Sequence, residues 1–244
     1  MRNVIVTGGS RGLGLGIARK LASSGYRVLA VARSENSELQ AAIQQAELAN
    51  PGSFHFAPFD LGNIEGIPEL VKNLRKKFGA VYGLVNNAGM SFDGSLALMP
   101  IAQIEQLVRV NTVSPMVLTK FVVRSMLADG GGRIVSLSSI TASTGYSGLS
   151  VYSATKASLV GFSRSLAREA GRMGITVNCI APGFISTDMT QGIPDEQRQQ
   201  IERRSALKRM ADIDDVANAV EFLLSDKAKN ITGTVLTVDA GSTA

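Results

Sequence analysis

The sequence predicts a single α/β domain, a doubly wound parallel sheet of about seven strands with helices on both faces. Short, nearly continuous apolar runs alternate with segments whose apolar residues recur at helical spacing. Such runs are typical of parallel strands that are buried on both faces, and their alternation with helices indicates βαβ units with right-handed crossovers. The chain has 244 residues, 45% apolar and 18% charged, which suits one globular domain with a large core.

The first half of the chain is predicted to hold four strands and three helices. A β-branched run, Val4-Ile5-Val6, opens it, and Gly25 and Asn50-Pro51-Gly52 mark the ends of the first two helices. The strands are expected at 4–6, 27–32, 53–56 and 81–86, and the helices at 13–23, 39–49 and 64–78.

The second half is predicted to hold three strands and four helices. Pro115 is expected to bend the longest helix, because proline cannot donate a backbone hydrogen bond. The strands are expected at 132–136, 175–181 and 234–238, and the helices at 101–127, 150–171, 194–204 and 213–225.

Composition argues against several classes of protein. The net charge is +5, but the basic residues are scattered, so we expect no nucleic-acid binding. His55 is the only histidine and Cys179 the only cysteine, which leaves no metal-ligand spacing and no intramolecular disulfide. No apolar run reaches transmembrane length and no signal peptide precedes the first strand, so we expect no membrane association and a cytoplasmic protein.

A glycine-rich loop follows the first strand and precedes a helix, the arrangement of a Rossmann dinucleotide site. Glycines allow the backbone to approach a pyrophosphate, and the helix directs its N-terminus at the phosphates. A tight turn with no ligand is the alternative interpretation. The loop residues expected to contact a cofactor are Gly8, Ser10, Arg11, Gly12, Leu13 and Gly14.

The end of the second strand favours NADP(H) over NAD(H). A carboxylate there would bind the ribose 2′-hydroxyl of NAD, but the sequence reads Val31-Ala32-Arg33-Ser34. Arg33 and Arg11 would place two guanidinium groups where a 2′-phosphate would lie. Alternatively, both are solvated surface arginines.

A second group of residues points to proton transfer. Tyr152 and Lys156 share a helix face at i and i+4, and a nearby cation would lower a tyrosine pKa that is about 10 when unperturbed. Ser139, at the end of the fifth strand, could bind a substrate oxygen. Asn111 could interrupt the long helix and hold a water. The alternatives are a turn cap for Ser139 and a satisfied core amide for Asn111.

With these residues together, the chain resembles the short-chain dehydrogenase/reductase family over essentially its whole length, and within it most resembles the 3-oxoacyl-[acyl-carrier-protein] reductases. The closer likeness lies in residues 181–190 and 132–136. The motifs that carry the resemblance are Thr7-Gly8-x-x-x-Gly12-x-Gly14, Asn86-Asn87-Ala88-Gly89, Asn111, Ser139, Tyr152-x-x-x-Lys156 and Pro182-Gly183-x-x-x-Thr187.

The resemblance implies catalytic roles for four residues. Tyr152 would donate a proton to a carbonyl oxygen, and Ser139 would orient the substrate. Lys156 would hydrogen-bond the nicotinamide ribose and lower the pKa of Tyr152. Asn111 would anchor a water that relays protons to Lys156.

The resemblance also extends the expected cofactor site. Asp60 and Leu61 would meet the adenine, and Ile185 and Thr187 the nicotinamide carboxamide. With the glycine loop and Arg33, the remaining expected contacts are Asn87, Ala88, Gly89, Tyr152, Lys156, Pro182 and Gly183.

The implied activity is NADPH-dependent reduction of a ketone to a secondary alcohol, with a 3-oxoacyl thioester of acyl carrier protein as the favoured substrate. A general carbonyl reductase for small ketones, sugars or steroids stays open, as does a non-catalytic NADP-sensing protein. The family also implies a homotetramer formed through 101–127 and 150–171, and a substrate lid at about 187–205.

Two departures from the family pattern bear on the substrate. Related reductases often carry a basic residue just before the fifth strand, where this chain has Asp129-Gly130-Gly131-Gly132. Arg124, Arg133 and Arg172 either replace that cation in docking an acidic carrier protein or are solvated. In the tail, Ala240 stands where the family more often has glycine.

Overall fold

The computed structural model describes residues 1–185 and 195–244, apart from the side chains of Asp195 and Gln197. The described residues form one parallel sheet with the strand order β3-β2-β1-β4-β5-β6-β7. The predicted fold class is confirmed, and each predicted strand is present with ends shifted by a few residues. The strands are β1 (Asn3–Thr7), β2 (Arg27–Ala32), β3 (Phe54–Pro58), β4 (Val81–Asn86), β5 (Gly132–Leu137), β6 (Ile175–Pro182) and β7 (Val235–Val238).

Helices cover both faces of the sheet. Single 3₁₀ turns occur at Ile64–Gly66, Leu96–Leu98, Gly171–Met173 and Asp226–Ala228. The α-helices in the described ranges are α1 (Gly12–Ser23), α2 (Ser37–Ala49), α3 (Ile67–Phe78), α4 (Ile101–Val108), α5 (Ser114–Asp129), α6 (Thr141–Thr144), α7 (Ser150–Ala170), α8 (Asp195–Arg204) and α9 (Ile213–Leu224).

The single long helix predicted over 101–127 is two helices in the structure. A π-helical turn, Arg109–Val113, separates α4 from α5. Pro115 lies in the first turn of α5 and has no N–H to donate to the carbonyl of Asn111, four residues earlier. The extra residue that a π-turn accommodates therefore occurs where the α-helical hydrogen-bond pattern is already broken.

The core has two layers because successive strand residues point to opposite faces of the sheet. Val4 and Val6 of β1 pack in the layer that includes α1 and α9, whereas Ile5 packs in the layer that includes α3 and α5. None of the helices in the described part of the chain is long and apolar enough to cross a membrane.

The strand order reverses between β1 and β4, so the crevice at the carboxyl ends of these strands is where ligands bind in such sheets. The loops after β1, β4, β5 and β6 all open at this edge, which we call the carboxyl edge. They carry most of the residues predicted to be functional.

Candidate active site

The loop after β1 forms a cradle that excludes side chains. Gly8 has a φ of 66°, and a Cβ on it would lie 3.0 Å from Asn87 Nδ2. A Cβ on Gly14 would lie 2.1 Å from the carbonyl oxygen of Gly8. The first turn of α1 therefore packs directly on the loop, and a side chain at either glycine would force the loop and the helix apart.

Loops after β1 and β4 are locked together by hydrogen bonds. Thr7 Oγ1 accepts from the backbone N–H groups of Asn87 and Ala88, both at 3.0 Å. Asn87 Nδ2 donates to the Thr7 carbonyl at 2.9 Å. The predicted cofactor residues Asn87 and Ala88 are thus fixed beside the glycine loop.

The N-terminus of α1 is open to an anion. Its N-cap residue, Arg11, makes no side-chain capping bond, and the first turn contains no acidic residue. The orphan N–H groups of a helix N-terminus and its positive dipole end favour a phosphate. Gly12 and Leu13 open the helix at this point, and Ser10 lies in the loop just before it.

The two arginines predicted at the adenosine corner are exposed. In the described ranges, neither Arg11 nor Arg33 has a hydrogen-bond or ion-pair partner. Across β3, Asp60 Oδ1 accepts from the N–H of Gly62 at 2.8 Å, and Leu61 is buried next to this turn. Within the described part of the chain, both guanidinium groups at this corner are therefore outside any ion pair with the protein.

Ser139 and Tyr152 come close together at the carboxyl edge, where the Ser139 hydroxyl acts on the Tyr152 phenol and lowers its pKa. Ser139 Oγ also accepts from the N–H and the hydroxyl of Thr141, at 3.2 and 3.0 Å. Because two donors occupy its lone pairs, the Ser139 hydroxyl hydrogen is directed to the Tyr152 oxygen or to a substrate oxygen.

Burial raises the pKa of Tyr152, and the hydrogen bond from Ser139 partly offsets that effect, while the carboxylate of Asp93 adds to it. The expectation that Lys156 lowers the pKa of Tyr152 is therefore not met in this structure. Tyr152 is held in its protonated form, which is the form that donates a proton.

Lys156 is buried, with only 5% of its surface exposed. Its Nζ donates to the Leu137 carbonyl at 2.8 Å and lies 5.7 Å from the centre of the Tyr152 ring. Desolvation lowers the pKa of Lys156 to about 8. Burying the ammonium therefore carries a desolvation cost. A hydrogen bond to an electron-rich oxygen would offset that cost, so the ammonium is available to bind one.

Asn111 lies in the π-turn and clamps the loop after β4. Its Oδ1 accepts from the Met90 N–H at 2.9 Å, and its Nδ2 donates to the Met90 carbonyl at 2.8 Å and to Thr155 Oγ1 at 3.1 Å. Both amide hydrogens are therefore already donated. The second lone pair of Oδ1 remains available to accept a hydrogen bond from a water.

Gly89 lies where these groups converge. A Cβ on it would be 3.3 Å from Lys156 Nζ and 3.4 Å from Asn111 Oδ1. The structure therefore brings Asn111, Ser139, Tyr152 and Lys156 into one cluster beside the predicted cofactor loop.

The segment after β6 completes the site. The N–H of Ile140 donates to the Pro182 carbonyl at 3.0 Å, which joins this segment to the loop carrying Ser139. A Cβ on Gly183 would lie 2.7 Å from the Cβ of Asp239. Ile185 is buried and pairs with Ala211 in an isolated bridge.

Part of the predicted site lies outside the described residues. Thr187 falls there, as does the start of the lid predicted at 187–205; the described remainder of that lid includes α8. Nearby, Ala240 has a φ of 55°. A left-handed conformation costs a non-glycine residue about 1 kcal/mol, so glycine would fit this turn better.

Sequence reasoning missed several residues that build the site. Met90, Thr141 and Thr155 hold the functional groups through the hydrogen bonds above, but isolated threonines and a methionine carry no recognisable pattern. Phe184, from the segment after β6, packs edge-on against Tyr146 with ring centres 5.5 Å apart. This pair provides an aromatic wall at the carboxyl edge.

Two of the arginines considered for carrier docking lie far from the carboxyl edge. They are at the edge formed by the amino ends of the strands, which we call the amino edge. Arg133 begins β5, and its guanidinium donates to the carbonyls of Gly132 and Gly174 and lies 5.8 Å from the Tyr82 ring centre. Arg172 precedes β6. A strand of six residues spans roughly 20 Å, so these arginines do not serve the site of their own chain.

Comparisons with known proteins agree with this geometry. A family model described as enoyl-(acyl carrier protein) reductase matches residues 8–243. The Escherichia coli K12 3-oxoacyl-[acyl-carrier-protein] reductase FabG is 41% identical over 237 residues, which cover 97% of this chain and 95% of that protein. The chain belongs to the short-chain dehydrogenase/reductase family.

Two further relatives support that membership. The Staphylococcus epidermidis (RP62A) 3-oxoacyl-[acyl-carrier-protein] reductase FabG is 35% identical over 240 residues, which cover 98% of each protein. A short-chain type dehydrogenase/reductase structure from Mycobacterium ulcerans superposes with a TM-score of 0.93 at 33% identity, covering 99% of this chain and 89% of that one. As a member of the family, the chain is an oxidoreductase that works with a nicotinamide cofactor.

Proposed function

We propose that this protein reduces a 3-oxoacyl thioester of acyl carrier protein to the 3-hydroxyacyl product with NADPH. The observation that carries the proposal is the neighbouring pair of hydroxyl groups on Ser139 and Tyr152, of which Ser139 is oriented by Thr141. Two neighbouring hydroxyl donors suit the oxygen of a ketone, where negative charge develops during reduction. The substrate class comes from the named relatives in Escherichia coli and Staphylococcus epidermidis.

The residues present fit a nicotinamide dinucleotide. Gly8 and Gly14 leave a cradle that a Cβ would fill, and the N-terminus of α1 faces it without a capping side chain. When bound, the reduced cofactor supplies the hydride that reaches the carbonyl carbon.

The protein's own groups manage the proton. Ser139 donates a hydrogen bond to the substrate oxygen and holds it beside Tyr152. The Tyr152 hydroxyl transfers its proton to that oxygen, and its raised pKa keeps it protonated for reduction at neutral pH. Lys156, with its Nζ 5.7 Å from the centre of the Tyr152 ring, would hydrogen-bond the nicotinamide ribose and relay a proton back to the resulting phenolate. A water on Asn111 Oδ1 would return a proton towards Lys156.

NADPH is proposed over NADH because of the adenosine corner. Arg11 and Arg33 are exposed cations without partners in the described ranges, and arginine binds phosphate with paired hydrogen bonds. We expect kcat/KM to be at least about tenfold higher with NADPH than with NADH, the effect of roughly 1.4 kcal/mol. Equal turnover with both cofactors would contradict this part of the proposal.

An oligomer built on α4 and α5 is also proposed, with a homotetramer as the assembly. Ile101 is 74% exposed, and Val108 and Val113 are also exposed on these helices and the π-turn between them. Apolar residues in this arrangement favour a protein interface. Light scattering of the purified protein measures the mass, and a monomer would contradict the assembly.

The substrate is tested by initial rates of NADPH oxidation. Acetoacetyl thioesters of carrier protein and of N-acetylcysteamine are compared with simple ketones. We expect the carrier-protein thioester to have the highest kcat/KM. A preference for free ketones would instead indicate a general carbonyl reductase, and no turnover with any substrate would favour a cofactor-sensing protein.

The description of the matching family model favours one further candidate, reduction of an enoyl thioester. That reaction places hydrogen on two carbons and needs no proton at the carbonyl oxygen in the product. A crotonyl thioester in the same assay separates the two, since we expect turnover of the 3-oxoacyl substrate only. Faster turnover of the crotonyl thioester would overturn the assignment.

A further inference from the structure

The end of α8 and the turn after it concentrate positive charge. Residues 203–209, which we call the basic turn, contain four cations and no acidic residue. All four cations and the central Leu207 are exposed, Leu207 by 61%. The cations of the basic turn are Arg203, Arg204, Lys208 and Arg209.

The protein does not neutralise this charge. In the part of the chain that the structure describes, the ion pair on α8 joins Arg198 to Glu202, at 3.8 Å, and none involves the basic turn. Of the acidic residues that follow, Asp212 and Asp215 form the capping box of α9 and accept backbone hydrogen bonds there, and Asp214 lies in the first turn of the same helix. The basic turn is therefore free to meet an external anion.

The basic turn has a fixed shape. Ser205 is fully buried, and its hydroxyl lies 2.9 and 2.8 Å from the carbonyls of Glu202 and Arg209 and accepts from the Arg209 N–H at 3.1 Å. Lys208 Nζ donates to the Arg203 carbonyl at 2.8 Å. A rigid support of this kind lowers the entropy cost of binding a partner.

The basic turn lies at the same edge of the sheet as the catalytic cluster. The N–H groups of Ala206 and Leu207 donate to the carbonyls of Gly241 and Ala240, at 3.2 and 3.1 Å, just beyond the carboxyl end of β7. Two strand spacings, about 10 Å, separate the ends of β7 and β5. Ser139 follows the end of β5, so the basic turn and the catalytic cluster lie at the same edge of the sheet.

Other cations are poorly placed for the same task. Arg133 and Arg172 lie at the amino edge, and Arg11 and Arg33 would bind the cofactor phosphate. The loop before β5 holds Asp129, which is paired with Arg75, where related reductases often have a cation.

We propose that the basic turn is the docking surface for the acidic acyl carrier protein, with Leu207 as its apolar centre. This rests on the proposed function and adds where the protein partner binds. Opposite charges steer such encounters and set their orientation, while the flexible arm of the carrier delivers the thioester to Ser139 and Tyr152.

The test compares the double variant Arg203→Gln/Arg204→Gln with the wild type on acetoacetyl thioesters of carrier protein, coenzyme A and N-acetylcysteamine. At low salt we expect kcat/KM on the carrier-protein thioester to fall about tenfold, mostly through KM, because rim charges act on association. On the N-acetylcysteamine thioester we expect less than about a twofold change, and at high salt the difference shrinks through screening.

Two controls sharpen the result. Arg203→Lys/Arg204→Lys keeps the charge and is expected to keep carrier-protein activity. Lys76→Gln/Lys77→Gln removes two exposed cations from the far end of α3 and is expected to behave like the wild type.

The outcomes are separable. Equal losses on all three thioesters would mean a structural effect and would overturn the docking surface, as would an unchanged carrier-protein rate. A loss confined to the coenzyme A thioester would assign the basic turn to nucleotide phosphates instead. If the wild type does not reduce the carrier-protein thioester at all, the proposed function fails, whatever the variants do.

Discussion

Thr141 orients Ser139 by donating to its Oγ twice, from the backbone N–H at 3.2 Å and from the hydroxyl at 3.0 Å. Ser139 was predictable from its place after β5, but its orientation was not, because it depends on a threonine in a one-turn helix. The Ser139 hydroxyl is thereby left to donate towards Tyr152 and the substrate.

Thr141→Val should therefore weaken catalysis without changing the cofactor site. A neutral hydrogen bond contributes about 1 kcal/mol, so we expect kcat to fall roughly fivefold while the dissociation constant of NADPH stays constant. Steady-state kinetics and fluorescence titration measure the two quantities. Thr141→Ser retains the hydroxyl and should keep most of the rate; equal losses in both variants would show that only packing matters.

Gly14→Ala should weaken cofactor binding, because its Cβ would lie 2.1 Å from the Gly8 carbonyl oxygen. The backbone cannot yield there without opening the cradle, so we expect NADPH affinity to fall at least about tenfold, a loss of roughly 1.4 kcal/mol. Gly171→Ala is the matched control, since a Cβ on Gly171 meets nothing within 4 Å and its φ is −60°. Tight NADPH binding by Gly14→Ala would contradict the cradle.

Lys156 should make stability depend on pH in an unusual direction. Its pKa falls from 10.5 in the unfolded chain to about 8 in the folded protein. Between these values the unfolded state binds more protons, so the free energy of unfolding rises with pH. The burial cost, about 3 kcal/mol in order of magnitude, is present in full below pH 8 and disappears towards pH 10.5.

Comparison with Lys156→Met isolates that effect, because the other titrating groups are common to both proteins. Without cofactor, we expect wild-type stability relative to Lys156→Met to increase by about 2 kcal/mol between pH 7 and pH 9.5. Urea unfolding at the two pH values gives this difference. A difference that does not change with pH would mean that Lys156 keeps its ordinary pKa.

The sequence predicted the sheet well because β-branched runs buried on both faces, such as Val4-Ile5-Val6, have few other stable environments. It predicted that Asn111 could interrupt the long helix, and the structure confirms an interruption there, but helical periodicity does not show that the interruption is a π-turn. The three hydrogen bonds of Asn111 to Met90 and Thr155 arise from tertiary packing.

The direction of the Tyr152 pKa was the clearest error. From spacing alone, the i and i+4 relation to Lys156 predicted a lowered pKa. Burial is a property of the folded protein, and here it raises the pKa of Tyr152 and lowers that of Lys156. A sequence motif names the two groups but not the dielectric environment in which they lie.

The most direct test of the proposed mechanism is single-turnover reduction of an acetoacetyl thioester by Tyr152→Phe beside the wild type, with NADPH affinity measured on both. Phenylalanine keeps the ring and removes only the hydroxyl group that carries the proton. We predict a rate at least about 100-fold lower with NADPH affinity unchanged within about twofold. A Tyr152→Phe protein that reduces the substrate at the wild-type rate would contradict the assignment of Tyr152 as the proton donor.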